Sequence, residues 1–157
     1  MGRRRKSTDA LKLELARRLQ EDCNTSNREL AEQIDVDAAT LGRVRSQLEK
    51  GGFIQRYRAH LDPDKYGFGT LAFLRISLEN KDKQYVKSVE RFLADDPNIV
   101  EMHALAGEWD YLLKIRVRKS TDLKELMNEK FQTKYNIKHD GFMISIGSTK
   151  DTSTLPI

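Results

Sequence analysis

Residues 26–54, SNRELAEQIDVDAATLGRVRSQLEKGGFI, decide how this chain is read. Ser26 and Glu29 form an S-x-x-E capping box, which satisfies the free backbone donors at a helix start. The helix it opens carries Leu30, Ala31 and Ile34. The turn Asp35-Val36-Asp37 follows, and Asp37 can cap another helix. On that helix Leu41, Val44 and Leu48 fall on one face at i, i+3 and i+7. Gly51-Gly52 ends it, because glycine accepts the left-handed conformation at a helix C-terminus. Two helices joined by a turn of a few residues make a helix-turn-helix, a form that suits the DNA major groove.

Working outward from that stretch, Leu11, Leu15 and Leu19, with Ala16 beside them, predict an earlier helix over about residues 9–21. Ser7 or Thr8 can cap it, and Asp9 favours the positive end of its dipole. With Leu41, Val44 and Leu48 inward, Ala38, Ala39, Thr40, Gly42, Arg43, Ser46 and Gln47 are free to face outward. Small residues let a helix backbone enter the groove closely, and Arg43 can pair with guanine or phosphate. Arg28 and Arg45 join this set. An ordinary surface helix with two arginines would carry the same pattern.

Residues 53–61, FIQRYRAHL, alternate like a strand. Phe53, Tyr57, Ala59 and Leu61 share one face, and Arg56, Arg58 and His60 the other. Such a strand after a helix-turn-helix predicts a wing whose Arg56 and Arg58 touch phosphates. His60 reads as a surface or phosphate-contacting histidine. Arg3-Arg4-Arg5-Lys6 reads equally as an arm along DNA or a solubilising tail.

The Asp62-Pro63-Asp64-Lys65 break sets a boundary. Residues 71–78, LAFLRISL, read as a nearly continuous apolar strand. Tyr85, Val86, Val89, Phe92 and Leu93 give a helical stripe that stops before Asp95-Asp96-Pro97. Residues 99–106 form a strand. Tyr111, Leu113, Ile115 and Val117 then alternate with Leu112, Lys114, Arg116 and Arg118. Ser120 can cap a second helix, with Leu123, Leu126, Met127 and Phe131 inward. Phe142, Ile144 and Ile146 alternate in a last strand. The order βαββαβ predicts an α+β chain with a ferredoxin-like second domain. Its two helices cover one sheet face, and the open face predicts a homodimer. The expected divisions are 1–61 for the helix-turn-helix, 62–69 for a linker, 70–150 for the ferredoxin-like domain and 151–157 for a tail.

Composition sets outer limits. The chain has 157 residues, of which 38% are hydrophobic and 33% charged, the balance of a folded soluble protein. No apolar run approaches the roughly 20 residues that span a bilayer, so no membrane partner is expected. The basic start lacks an apolar secretory segment. Cys23 is the one cysteine, which excludes an internal disulfide and fits a reducing cytoplasm. Residues 1–60 hold 13 Lys and Arg against 9 Asp and Glu, whereas residues 61–157 hold 15 of each. The whole excess of four positive charges therefore lies in the first module, where a polyanion would draw on it.

The sharpest small-molecule candidate is the turn Ala106-Gly107-Glu108-Trp109-Asp110. A glycine brings backbone N–H groups close to a carboxylate, and Asp110 can accept from an ammonium group. Together they suit the zwitterionic end of an amino acid. Trp109 would cover the ligand or fill a subunit contact. A simple hairpin turn with an inward tryptophan has the same sequence. Glu101 and His103 share a strand face near Glu108 and Asp110, but polar strand pairs are more often surface features, and no metal or other cofactor is expected. No G-x-S-x-G, Walker loop, H-E-x-x-H or Cys-x-x-Cys motif occurs, so nothing in the sequence argues for an enzyme.

From about residue 9 to 150 the chain resembles the Lrp/AsnC family of bacterial and archaeal transcription regulators. The resemblance rests on REL-A at residues 28–31, LEKGGFI at 48–54, RYRAHLDPDKYGFG at 56–69 and ALAGEWDYLLKI at 104–115, in this order. It implies a winged helix-turn-helix reader of double-stranded DNA joined to a RAM (regulation of amino-acid metabolism) domain. It also implies dimers formed by pairing RAM sheets, often assembled into octamers, and an amino-acid effector near the glycine turn. Carried over by residue, that site comprises Gly107, Glu108, Trp109 and Asp110, faced by the approach to the last strand with His139, Asp140 and Phe142. The chain departs from the family pattern in two ways. Val44, flanked by Arg43 and Arg45, stands where the family usually has arginine, and Asp140 and Phe142 stand where it often has threonines. A carboxylate at 140 would favour a cationic or amine-bearing ligand. An effector-independent architectural protein that wraps DNA by oligomerising would share the same fold.

Overall fold

The computed structural model describes residues 7–126, 131 and 135–157. The basic arm at residues 3–6 and Met127 lie outside the described residues. The chain divides into two compact units: Met1–His60 together with Lys150–Ile157, and Leu61–Thr149.

The first unit is built on three helices, α1 (Thr8–Glu21), α2 (Asn27–Ile34) and α3 (Ala38–Lys50). Each begins at a side-chain cap. Ser7 accepts from the Ala10 N–H, Ser26 and Glu29 complete both halves of the capping box, and Asp37 accepts from the Thr40 N–H. These bonds hold the Glu29 and Asp37 carboxyls below the usual carboxylate range. Capping sets where each helix starts; burial of its apolar stripe sets how it packs. Leu11, Leu15, Leu19, Leu30, Ala31, Ile34, Leu41, Val44 and Leu48 form one core. Leu15 and Leu41 are 0% exposed. After α3, Gly52 takes the left-handed conformation at φ 72°, and the Ile54 N–H donates to the Leu48 carbonyl at 3.1 Å. That bond turns Ile54 back onto the core.

Beyond Ile54 the structure departs from the expected wing. Residues 55–60 pair with no strand among the described residues, and Phe53 is 77% exposed. Alternation alone does not make a strand, because isolated strands need a ladder partner, and the segment has none among the described residues. The last residues belong to the same unit. Gln20 of α1 exchanges two hydrogen bonds with Leu155, its amide accepting from the Leu155 N–H at 2.7 Å and donating to the Leu155 carbonyl at 3.3 Å. Arg17 donates to the Ile157 carbonyl.

The second unit is a four-stranded antiparallel sheet of β1 (Thr70–Ser77), β2 (Ile99–Ala104), β3 (Tyr111–Val117) and β4 (Lys138–Ile144), in the order β2-β3-β1-β4. Helices α4 (Lys83–Ala94) and α5 (Asp122–Glu125) complete the ferredoxin-like order. Alternation on the two central strands divides the faces: Ala72, Leu74, Ile76, Leu113 and Ile115 are buried against Val89, Leu93, Leu123, Leu126 and Phe131. Ser120 does not cap α5. Thr121 holds the cap position without a side-chain bond, and Asp122 accepts from the Lys119 N–H instead.

Candidate functional site

On α3 the core stripe turns Ala39, Arg43, Ser46 and Lys50 to the opposite side, at i, i+4, i+7 and i+11. Ala38, Ala39, Arg43, Gln47 and Lys50 are exposed, while Thr40, Gly42 and Ser46 are partly covered. Arg43 donates to the Thr40 hydroxyl at 3.0 Å, which leaves most of its guanidinium donors open. Lys50 is not among the outward residues expected from the sequence; its place on the Arg43 stripe is the signal that would have found it.

Arg28 and Arg45 stand differently. Arg28 is exposed and lies 3.4 Å from Glu32, one turn along α2. Arg45 was expected on the outward face, but its side chain is only 20% exposed. It donates to the Asn27 side-chain oxygen at 2.9 Å and to the Tyr57 hydroxyl at 3.1 Å, and lies 3.4 Å from the Glu49 carboxylate. The core centres on Leu41, Val44 and Leu48, and Arg45 lies on the flank beside it, where α2 is close enough to engage it. Arg56 and Arg58 are exposed.

In the second unit the glycine turn links β2 to β3. The Leu105 N–H donates to the Asp110 carbonyl at 2.8 Å and the Asp110 N–H to the Ile76 carbonyl at 2.9 Å. Ala106, Gly107 and Glu108 project into solvent, and Trp109 is half-buried. Gly107 has φ 149° and nothing within 4 Å of an added Cβ, so backbone conformation rather than space calls for glycine there.

Asp110 does not wait for a ligand. Its carboxylate accepts from the Leu78 N–H at 2.7 Å, from the Ser77 hydroxyl at 3.1 Å and from the Lys81 ammonium. Burial alone would raise its pKa, but these bonds outweigh burial and hold the carboxyl below its ordinary value. The ammonium that the sequence reading reserved for an effector is thus supplied by Lys81. Tyr111 next to it donates to Glu90 at 2.8 Å, and burial, followed by that bond, pushes its pKa up to about 12.

Asp140 and Trp109 meet through a residue the sequence reading missed. Arg75 of β1 donates through Nε to Asp140 at 2.6 Å, and its guanidinium carbon stands 5.2 Å from the Trp109 ring centroid. Its side chain is 44% exposed, and its contacts to Asp140 engage Nε and one terminal nitrogen. The signal was a lone charge inside an otherwise apolar strand. The expected effector residue Phe142 does not join this cluster. It pairs with Leu74 in the sheet register and packs against the core, on the helix-covered face. An irregularity in β4 between the partners of Leu74 and Ile76 explains the difference. A shift of one residue in a strand moves a side chain to the other face. His139 sits across from Ile76 and is half-buried, its Nδ1 accepting from the Gly141 N–H at 3.2 Å.

Glu101 accepts from Lys114 at 2.8 Å and lies 3.2 Å from His103, and these contacts, led by Lys114, hold its carboxyl low. Among the described residues no three potential metal ligands stand together, and no helix is long and apolar enough to cross a membrane.

Residues 71–155 match the family model of the Lrp/AsnC ligand-binding domain, and residues 13–62 match that of the MarR family. The chain is 28% identical to a leucine-responsive regulatory protein of Rhizobium meliloti over 95% of this chain and 96% of that protein. It is 32% identical to the Bkd operon transcriptional regulator of Pseudomonas aeruginosa, over 70% of this chain and 72% of that one. The fold is similar to that of a Neisseria meningitidis transcriptional regulator in complex with L-methionine, with a TM-score of 0.86, 24% identity and coverage of 97% and 96% of the two chains. It is similar also to that of an AsnC-family regulator of Agrobacterium tumefaciens, with a TM-score of 0.87, 24% identity and coverage of 93% and 95%. With a helix-turn-helix unit before the matched ligand-binding domain, and with relatives aligned along nearly its whole length, the chain belongs to the Lrp/AsnC family of DNA-binding transcription regulators.

Proposed function

We propose that α3 enters the DNA major groove with Ala39, Gly42, Arg43, Ser46, Gln47 and Lys50 toward the duplex, and that a small amino acid or related ligand at the glycine turn modulates the assembly. The observation that carries the DNA reading is the stripe of Arg43, Ser46 and Lys50 opposite the core stripe of a capped helix. Small side chains at the start of α3 favour close approach, and Arg43 keeps donors for a base edge or phosphate. Arg28, Arg56 and Arg58 add exposed positive charge around it. A homodimer formed through the open sheet face is supported by Met143, which pairs with Phe73 on that face and is 46% exposed. Larger assemblies up to octamers would build on that dimer.

The ligand reading is supported by the exposed turn and by Arg75, which Trp109 and Asp140 hold with its side chain partly exposed. Its carboxylate partner would be Arg75 and the turn amides, with Ala106, Gly107, Glu108 and Trp109 lining the entry. The saturation of Asp110 by Lys81 favours a second reading, an effector-independent architectural regulator with the same fold. Thermal melts of the full chain against each of the twenty amino acids separate the two, since a ligand of the folded state raises the midpoint with its concentration. A midpoint rise that Arg75→Ala removes supports the sensor. Silence from all twenty supports the architectural regulator.

A further inference from the structure

Residues 55–60 have no ladder to hold them, yet one side chain among them is fixed. Tyr57 donates its hydroxyl hydrogen to Glu49 at 2.8 Å, and the same oxygen accepts from Arg45 Nε at 3.1 Å. Arg45 in turn donates to Asn27 at 2.9 Å, and its guanidinium carbon lies 5.0 Å from the Tyr57 ring centroid. The direction of each bond is forced by chemistry: a guanidinium only donates, a carboxylate only accepts, and the single phenolic hydrogen must go to Glu49. The circuit therefore joins the start of α2, the middle and end of α3, and the segment that follows. Burial, followed by the bond to Glu49, raises the Tyr57 pKa, so the hydroxyl keeps its hydrogen at neutral pH. Among the described residues Tyr57 is the only member of residues 55–60 with a side-chain hydrogen bond, and its sequence neighbours Arg56 and Arg58 are exposed on either side.

We propose that Tyr57 is a positioning residue for DNA binding: it clasps the basic segment to α3 through Arg45 and Glu49, so that Arg56 and Arg58 meet phosphates beside the recognition helix. Arg45 is then an internal strut and not a base reader. This rests on the α3 reading above. The clasp costs the interface no charge that DNA would use, because Arg45 is already neutralised by Glu49. It converts a segment without secondary structure into a second phosphate-contacting element. Phosphate contacts fix register without reading sequence, so losing the clasp changes affinity and its salt dependence but not base preference.

The test uses the full chain and a labelled mixed-sequence DNA duplex, with binding titrated across salt concentration. Each phosphate contact adds about 0.9 to the slope of log affinity against log salt. Arg56→Ala combined with Arg58→Ala is expected to lower that slope by about 2. Tyr57→Phe keeps the ring and removes both hydroxyl bonds; it is expected to lower the slope toward that of the double variant with an unchanged melting midpoint. Glu49→Gln still accepts the phenolic hydrogen but no longer neutralises Arg45, so its slope is expected not to fall below that of the wild type. Arg45→Ala is expected to follow Tyr57→Phe and to leave base preference, measured by selection from a randomised duplex pool, unchanged. A wild-type slope for the Arg56/Arg58 double variant overturns the proposal. So does a wild-type slope for Tyr57→Phe beside a reduced one for the double variant, or an altered base preference for Arg45→Ala. Arg43→Ala reports on the α3 face separately: if it binds as wild type, that face is wrong, whatever Tyr57 does.

Discussion

At the scale of single residues, two positions in the glycine turn behave in ways their neighbours cannot. Gly107 adopts a backbone conformation that other residues rarely take, in open space. Gly107→Ala is expected to destabilise the second unit by about 1–3 kcal/mol, read as a lower urea midpoint with an unchanged m-value. Asp110 is the second. Its pKa lies below the ordinary 3.8 because the bonds from Lys81, Leu78 and Ser77 outweigh burial. A carboxyl depressed by folding contributes stability that is complete above its unfolded value and lost as pH falls through its folded value. The contribution of Asp110 is therefore whole above about pH 4 and disappears in stronger acid. Asp110→Asn is expected to lower the urea midpoint at neutral pH and to flatten its decline below pH 4; an unflattened acid limb would mean that Asp110 is not a source of the decline.

At the scale of elements, capping decides how the helix-turn-helix begins. The Ser26 hydroxyl accepts from the Glu29 N–H at 3.2 Å, while the Glu29 carboxylate accepts from the Ser26 N–H at 3.0 Å. Ser26→Ala removes one half of this exchange and is expected to cost about 0.5–2 kcal/mol. Because α2 orients Asn27 toward Arg45, the same change is expected to weaken DNA binding slightly more than the stability loss alone accounts for. Comparing binding of Ser26→Ala with that of an equally destabilised core variant checks this. The strands show a different dependence. β1 was legible as a nearly continuous apolar run and β3 as an alternation, and both are central strands with one face buried. β4 is an edge strand with an irregular register, and Phe142, which the family resemblance placed at the effector site, packs against the core instead.

At the scale of the whole molecule, two cores share no buried residue. Leu15 and Leu74 are each 0% exposed, one in each core. Truncating either to alanine is expected to cost about 2–5 kcal/mol. Amide hydrogen exchange should localise the damage: Leu15→Ala accelerates exchange in α1, α2 and α3, and Leu74→Ala accelerates it in the sheet. Acceleration of both units by both variants would show that they unfold as one. Lys150–Ile157 follow β4 in sequence but belong with α1, so exchange at Leu155 is expected to track the first unit.

Much of the fold was legible in the residue order, because the periods of helix and strand are local properties. Ser26-x-x-Glu29, the stripe of Leu41, Val44 and Leu48, and the alternation of residues 111–117 each need only a few neighbouring residues to express themselves. The chain by itself determined the three-helix unit, the βαββαβ order, the buried stripes and the outward position of Arg43. What only the tertiary structure decided are the partners that come from far along the chain. Lys81 meets Asp110, Arg75 bridges Trp109 and Asp140, Asn27 and Tyr57 engage Arg45, and Gln20 holds Leu155. A polar side chain carries no mark of whether it will face water, ligand or another side chain; that is settled by which groups packing brings within hydrogen-bonding distance.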